Sequence, residues 1–223
     1  LNPNFLNKKG APFISLDETN FSYVDQYNSP HYVSILHRAK GMPILEYYRD
    51  LEDAIKHKNT MILEGSPSDI RKANDYLRDM NERFTMAMAA AGTALGMLHV
   101  TFGKLDQLSL EPIENLRTYT HGDAHWENVF YEESENTEGK IFLIDNARFV
   151  HSLNQKKPID YDLIMFLIRP VLRFFTHPLS NKPGSENITR GFKVFLNHYV
   201  EQYPEYFRED IKVYILSIIE RLT

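Results

Sequence analysis

The stretch "THGDAHWENVF", Thr120 to Phe130, gathers two histidines, two acids and an asparagine between His121 and Asn128, then runs into apolar Val129 and Phe130. Two chemistries can use such a run. In an extended segment alternate residues share a side, so His121, Asp123 and His125 have the spacing of metal ligands. A metallohydrolase built on them needs further His or Asp ligands from later loops. The remaining histidines, His31, His37, His57, His99, His151, His177 and His198, form no comparable cluster. The second chemistry is phosphoryl transfer. It needs a carboxylate to orient an attacking hydroxyl and take its proton, and oxygen ligands for a Mg²⁺ that bridges the phosphates. An Asp with an Asn five positions on, then a hairpin, then a second Asp after an apolar strand, supplies those parts. Here they are Asp123, Asn128 and Asp145, the last closing "KIFLID". A hairpin returns Asp145 to the end of the sheet that carries the Asp123 loop, so the second reading is preferred.

The organisation of the chain agrees with it. The first forty residues read as short extended pieces, "FISLD", "FSYVDQY" and "HYVSILHRA", broken by Asn28-Ser29-Pro30. Helical patterns begin at about Pro43 ("PILEYYRDLEDAIKH") and again after Ser66-Pro67-Ser68, and continue to His99. After Thr120 two strands are predicted, "ENVFYE" and "KIFLID", joined by the polar turn "ESENTEG". Beyond Pro158 three more helical segments follow, "DYDLIMFLIRPVLRFFTH", "NITRGFKVFLNHYVEQY" and "YFREDIKVYILSIIERL", with Pro170 expected to kink or end the first. The fold class expected is α+β.

Bulk properties exclude several alternatives. With 223 residues, 43% of them hydrophobic, the chain can bury a core without disulfides or a structural metal. A net charge of −5 lacks the basic excess of a nucleic-acid binder. Zero cysteines excludes disulfide and thiolate-zinc frameworks and accords with a reducing, cytoplasmic setting. "LNPNFLNKKGAPF" has no secretory pattern. Phe84 to Gly103 carries no formal charge, is long enough for a bilayer and contains Gly92 and Gly96 as GxxxG. Its alanines, threonines and His99 dilute the apolar content, so the expected role is the central helix of a helical lobe, without stable membrane insertion.

The residues "HGDAHWEN", with "FLID" following and "DYDL" beyond, resemble the aminoglycoside phosphotransferase and choline kinase superfamily, relatives of the eukaryotic protein kinases. The resemblance runs over roughly residues 30 to 175. It implies a protein-kinase-like fold: a partial small lobe and hinge strand in residues 1–36, and a mostly helical large lobe with a catalytic-loop hairpin in 37–223. It implies Asp123 as catalytic base, His121 and His125 as braces of the loop, and Asn128 and Asp145 as Mg²⁺ ligands. Asp162 of "DYDL" becomes the buried acid that ties a helix to that loop, and "LGMLH", Leu95 to His99, the end of the helix preceding it. "VSILHRAKG" resembles the strand and hinge between lobes, so Leu36, His37 and Arg38 would meet the adenine of ATP. Phe130 and Ile144 stand at positions that flank the purine; plain core packing accounts equally well for Ile144. Gly122 replaces an Arg typical of protein kinases, His125 a Lys found in many, and no APE-like segment follows Asp145. These three differences favour a small-molecule hydroxyl as acceptor.

The beginning of the chain departs from the family. No GxG occurs, and Lys8 and Lys9 are the sole lysines ahead of the hinge, without strand context. Either the implied small lobe is incomplete or truncated in this chain, or the lineage has replaced it. A kinase-like relative that senses nucleotide without catalysis, or a kinase-fold protein modifier, is the alternative; retention of Asp123, Asn128 and Asp145 argues against simple decay. Trp126 stands where relatives often have a small residue or proline. It either stacks on a substrate or wedges the loop against a helix.

Overall fold

Four helices, a π-helical turn and one short sheet position the candidate loop. The structure, a computed structural model, describes residues 19–24, 30–35, 39–102, 117–118, 120–134, 139–144, 157–158, 160–168 and 185–222. Strands β1 (Thr19–Val24) and β2 (Pro30–Ile35) pair antiparallel, Thr19 opposite Ile35 and Val24 opposite Pro30. The "FISLD" segment lies outside the described residues.

Helix α1 (Ile44–Glu64) follows a two-residue strand, β3 (Met42–Pro43). Its buried residues, Ile44, Leu45, Tyr47, Tyr48, Leu51 and Ala54, recur at helical spacing, so one stripe faces the core. Helix α2 (Pro67–Phe102) starts on a capping box: Asp69 N–H donates to Ser66 Oγ at 3.4 Å and Ser66 N–H donates back to Asp69 Oδ2 at 3.2 Å. Pro67 takes the first helical position, where a missing N–H costs nothing. The "SPSD" start signal therefore explains where α2 begins. At 36 residues α2 is about 54 Å long at the standard rise.

Helix α2 contains, among the described residues, the one stretch long and apolar enough to cross a membrane. In this fold one side of it turns inward, with Phe84, Ala87, Met88, Ala91, Leu95 and Leu98 buried, while Met86 is exposed. Helix α4 (Ser185–Glu201) lies along it. The GxxxG is used within the chain, because a side chain at Gly92 would collide with the carbonyl of Phe195, and one at Gly96 with that of Tyr199. In return Gly191 of α4 leaves room for the ring of Phe84. Helix α5 (Glu205–Leu222) packs on α4 through Phe207, Ile211 and Ile215, four residues apart.

The predicted hairpin is present. β5 (Val129–Glu132) and β6 (Lys140–Leu143) pair antiparallel, and β3 adds to the other side of β5, giving the order β3-β5-β6. Val129, Tyr131, Ile141 and Leu143 face the core, while Phe130 and Phe142, opposite each other, are only half-buried. The first predicted strand is shorter than expected: Glu127 and Asn128 belong to a turn, because Asn128 N–H bonds back to His125 O at 2.9 Å. A further pair, β4 (Arg117–Thr118) with β7 (Lys157–Pro158), brackets the loop and hairpin. Next comes a short helix, α3 (Asp160–Leu163), which continues as a π-helical turn, Ile164–Ile168. Pro170 and its predicted kink lie outside the described residues.

The architecture is thus α+β and mostly helical, as expected. Close approach of α2 and α4 leads to a direct expectation. Gly92→Val drives a branched side chain into the Phe195 backbone and should lower stability by about 3 kcal/mol or more. Chemical denaturation checks it; an unchanged midpoint would contradict the packing.

Candidate active site

The Thr120–Asn128 loop is held at three points, each by a different element. At its start the carboxylate of Asp162, on α3, takes two successive backbone donors: His121 N–H to Oδ2 at 2.7 Å and Gly122 N–H to Oδ1 at 2.8 Å. Two adjacent amides converge on one anion only if the backbone turns sharply between them. Gly122 has φ of +85°, where a side chain would be strained. This explains the glycine of "HGD" structurally.

Asp162 is fully buried, and a buried charge must be matched by donors. The third is His99, near the end of α2, whose Nε2 lies 3.1 Å from Oδ2. Burial pushes the Asp162 carboxyl up, but the hydrogen bond and charge of His99, with the Gly122 amide, outweigh it and hold the carboxyl below its usual range. His99 Nδ1 meets the Tyr199 hydroxyl at 2.7 Å, and that hydroxyl meets Tyr203 at 2.8 Å. Thr118 Oγ1 donates to the carbonyl of His99 at 2.9 Å, satisfying one of the carbonyls that the end of α2 leaves unpaired.

At the middle of the loop Trp126 is the wedge. Its ring is buried against Tyr48 of α1, Phe84 of α2, Phe166 of the π-turn and Phe192 of α4, at centroid distances from 5.4 to 6.3 Å. Its Nε1 has no hydrogen-bond partner among the described residues. An unpaired buried donor costs roughly 1–3 kcal/mol. Packing an aromatic of this size is worth roughly 3–5 kcal/mol when truncation is the measure, so packing prevails. The Trp126 carbonyl also accepts Leu45 N–H at 3.3 Å, one of the orphan donors at the start of α1. Helix α1 lacks a side-chain cap, so the loop supplies one.

At its end the loop is locked to the hairpin: Ile144 N–H donates to Asn128 O at 2.9 Å. Within the loop the Asp123 carbonyl accepts both His125 N–H at 2.8 Å and Asn128 Nδ2 at 3.1 Å. Asp123 and Asn128 are thereby brought together, each 8% exposed. The bond orients the Asn128 amide, with its nitrogen turned to the loop. His125 Nδ1 accepts Glu127 N–H at 3.2 Å, and its Nε2 lies 3.9 Å from Asp123 Oδ2. That separation is beyond a direct hydrogen bond.

The expected residues are therefore placed unequally. His121, Asp123, His125 and Asn128 form one compact turn, and His121 contributes its backbone amide, its ring being buried. Among the described residues no group of three or more His, Asp or Glu side chains has the arrangement of a metal site. Phe130 and Ile144 are half-buried. Leu36, His37, Arg38 and Asp145 lie outside the described residues. Sequence reading passed over Tyr199 and Tyr203, whose only signal was their spacing of four on a helix. No known protein family, curated protein or solved structure matches the chain.

The Asp162 cluster carries a pH signature. A carboxyl held below its ordinary value of about 3.9 stabilises the fold above that pH, and the contribution disappears as pH falls through the lower folded value. Asp162→Asn removes the anion from three donors and should cost about 3 kcal/mol at neutral pH. It should also flatten the loss of stability on acidification below about pH 4. Urea denaturation over a pH series tests both; two parallel pH profiles would contradict the assignment.

Proposed function

We propose that the chain is an ATP- and Mg²⁺-dependent phosphotransferase of protein-kinase-like fold that phosphorylates a hydroxyl of a small molecule, in the manner of aminoglycoside and choline kinases, in the cytoplasm. The observation that carries this reading is the turn joining Asp123 to Asn128. The Asn128 side-chain amide is bonded to the backbone carbonyl of Asp123, five residues earlier, on a loop anchored by a buried carboxylate and locked to the following hairpin. Rigid placement of that kind is what phosphoryl transfer asks of a protein, since little covalent chemistry is left for it to do.

In this reading Asp123 accepts the proton of the acceptor hydroxyl as it attacks the terminal phosphorus of ATP and the bond from that phosphorus to the ADP oxygen breaks. His125, with its Nε2 toward Asp123, steadies that carboxylate. The ligand atoms fit a hard cation: Asn128 Oδ1 and the carboxylate of Asp145, the residue after Ile144, would hold Mg²⁺, and both are oxygen donors of the type it prefers. When bound, the cation neutralises charge on the phosphates. The half-buried apolar pair Phe130 and Ile144 offers packing for a purine. Leu36, His37 and Arg38 are the proposed hinge contacts. The inward-facing apolar stretch of α2 supports a chain that does not insert stably in a membrane.

Two measurements test the reading. Calorimetry should give ATP binding that tightens with Mg²⁺ in the wild type and loses that dependence in Asp145→Ala. Binding that is equal and metal-independent in both would overturn the proposal. Separately, Asp123→Asn keeps the shape and removes the base, so turnover should fall by about two to four powers of ten while the ATP dissociation constant changes little. Joint loss of ATP affinity and melting temperature would instead make Asp123 an anchor of the loop and favour a non-catalytic relative.

A further inference from the structure

We propose that Tyr199 is a positioning residue for the Asp123 loop, acting from helix α4 through His99 and Asp162 on the backbone of His121 and Gly122. The catalytic part of this rests on the phosphotransferase reading; the hold on the loop does not.

The contacts run in series. An ionised carboxylate only accepts, so His99 must present N–H from Nε2 to Asp162. The other ring nitrogen, Nδ1, shares a hydrogen bond with the Tyr199 hydroxyl at 2.7 Å. That hydroxyl in turn shares one with the Tyr203 hydroxyl at 2.8 Å. The bonds form one continuous chain ending on the carboxylate, an arrangement in which each bond polarises the next. His99, Asp162, Tyr199 and Tyr203 are all at most 3% exposed, so water does not replace a missing partner cheaply. Burial raises the Tyr203 phenol well above its ordinary value, keeping it a donor.

The far end is anchored as well. Arg208 of α5 donates to the carbonyls of Tyr203 at 2.9 Å and Glu201 at 2.8 Å, fixing the corner where α4 ends. The Tyr199 ring stacks on Phe195 at 6.1 Å and 17°, and Phe195 on Phe166 of the π-turn at 4.5 Å and 18°. Packing therefore holds the ring in place whether or not the hydroxyl is present. The hydroxyl is left with the separate task of setting His99.

The test is Tyr199→Phe, which keeps the stack and deletes one oxygen. Deleting the hydroxyl leaves Nδ1 of a buried ring unpaired, a loss that corresponds to about tenfold in a local opening equilibrium. Amide exchange of His121 and Gly122 should accelerate by that factor, while Ile211 and Ile215 in α5 keep their rates. Nitrogen NMR of His99 should show a changed Nδ1 signal in the variant. Tyr203→Phe, which preserves the Tyr199–His99 bond, should give a smaller change at the same two amides. If the wild type proves to be a kinase, Tyr199→Phe should lower kcat with the KM for ATP unchanged. Exchange that accelerates equally in α5, or not at all at His121 and Gly122, would overturn the proposal. A wild type without transferase activity, combined with selective acceleration at the two amides, would remove the catalytic reading and retain the hold on the loop.

Discussion

A single buried carboxylate sets the terms for the centre of this fold. Asp162 has no water around it, so its charge can persist only where several donors converge. It takes them from the start of the loop and from the end of α2, two places far apart in sequence. The path of the loop, the positive φ at Gly122 and the rotamer of His99 are consequences of meeting that demand. Removing any one donor exposes the others to the cost of an uncompensated charge, which is why such clusters fail as a unit.

Trp126 complements this with non-directional packing. The carboxylate locates the beginning of the loop to within hydrogen-bond tolerances, and the indole fills the space among α1, α2, α4 and the π-turn so that the loop's middle cannot lift. Between the two anchors sits Asp123, largely buried, whose carbonyl gathers the turn. Polar and apolar constraints thus act on neighbouring residues of the same nine-residue segment.

The close contact of α2 with α4 has a bearing on more than stability. Small residues at Gly92, Gly96 and Gly191 let the two helices approach until backbone meets backbone. That proximity is what brings Tyr199 within reach of His99. With larger residues at the interface, helix axes separate toward the usual 8–10 Å or beyond, and a phenol on one helix no longer meets an imidazole on the other. Apolar packing and the polar chain are therefore one arrangement seen at two places.

Much of this was written locally. The start of α2 follows from Ser66-Pro67-Ser68-Asp69, because a capping box involves only neighbours. The α1 stripe and the β5–β6 hairpin follow from periodicity, and the candidate loop from the spacing of Asp123, Asn128 and Asp145. Trp126 was ambiguous in sequence, since an aromatic in a polar loop fits a substrate or a core equally; only its four aromatic neighbours decide for the core. Strand β3 pairs across more than eighty residues, and two residues carry no period to read. Tyr199 and Tyr203 looked like any aromatic pair on one helix face. Their link to Asp162 through His99 spans a hundred residues and exists only once α2 and α4 are packed, because a hydrogen bond requires atoms within about 3 Å and sequence spacing places them there only inside a single element.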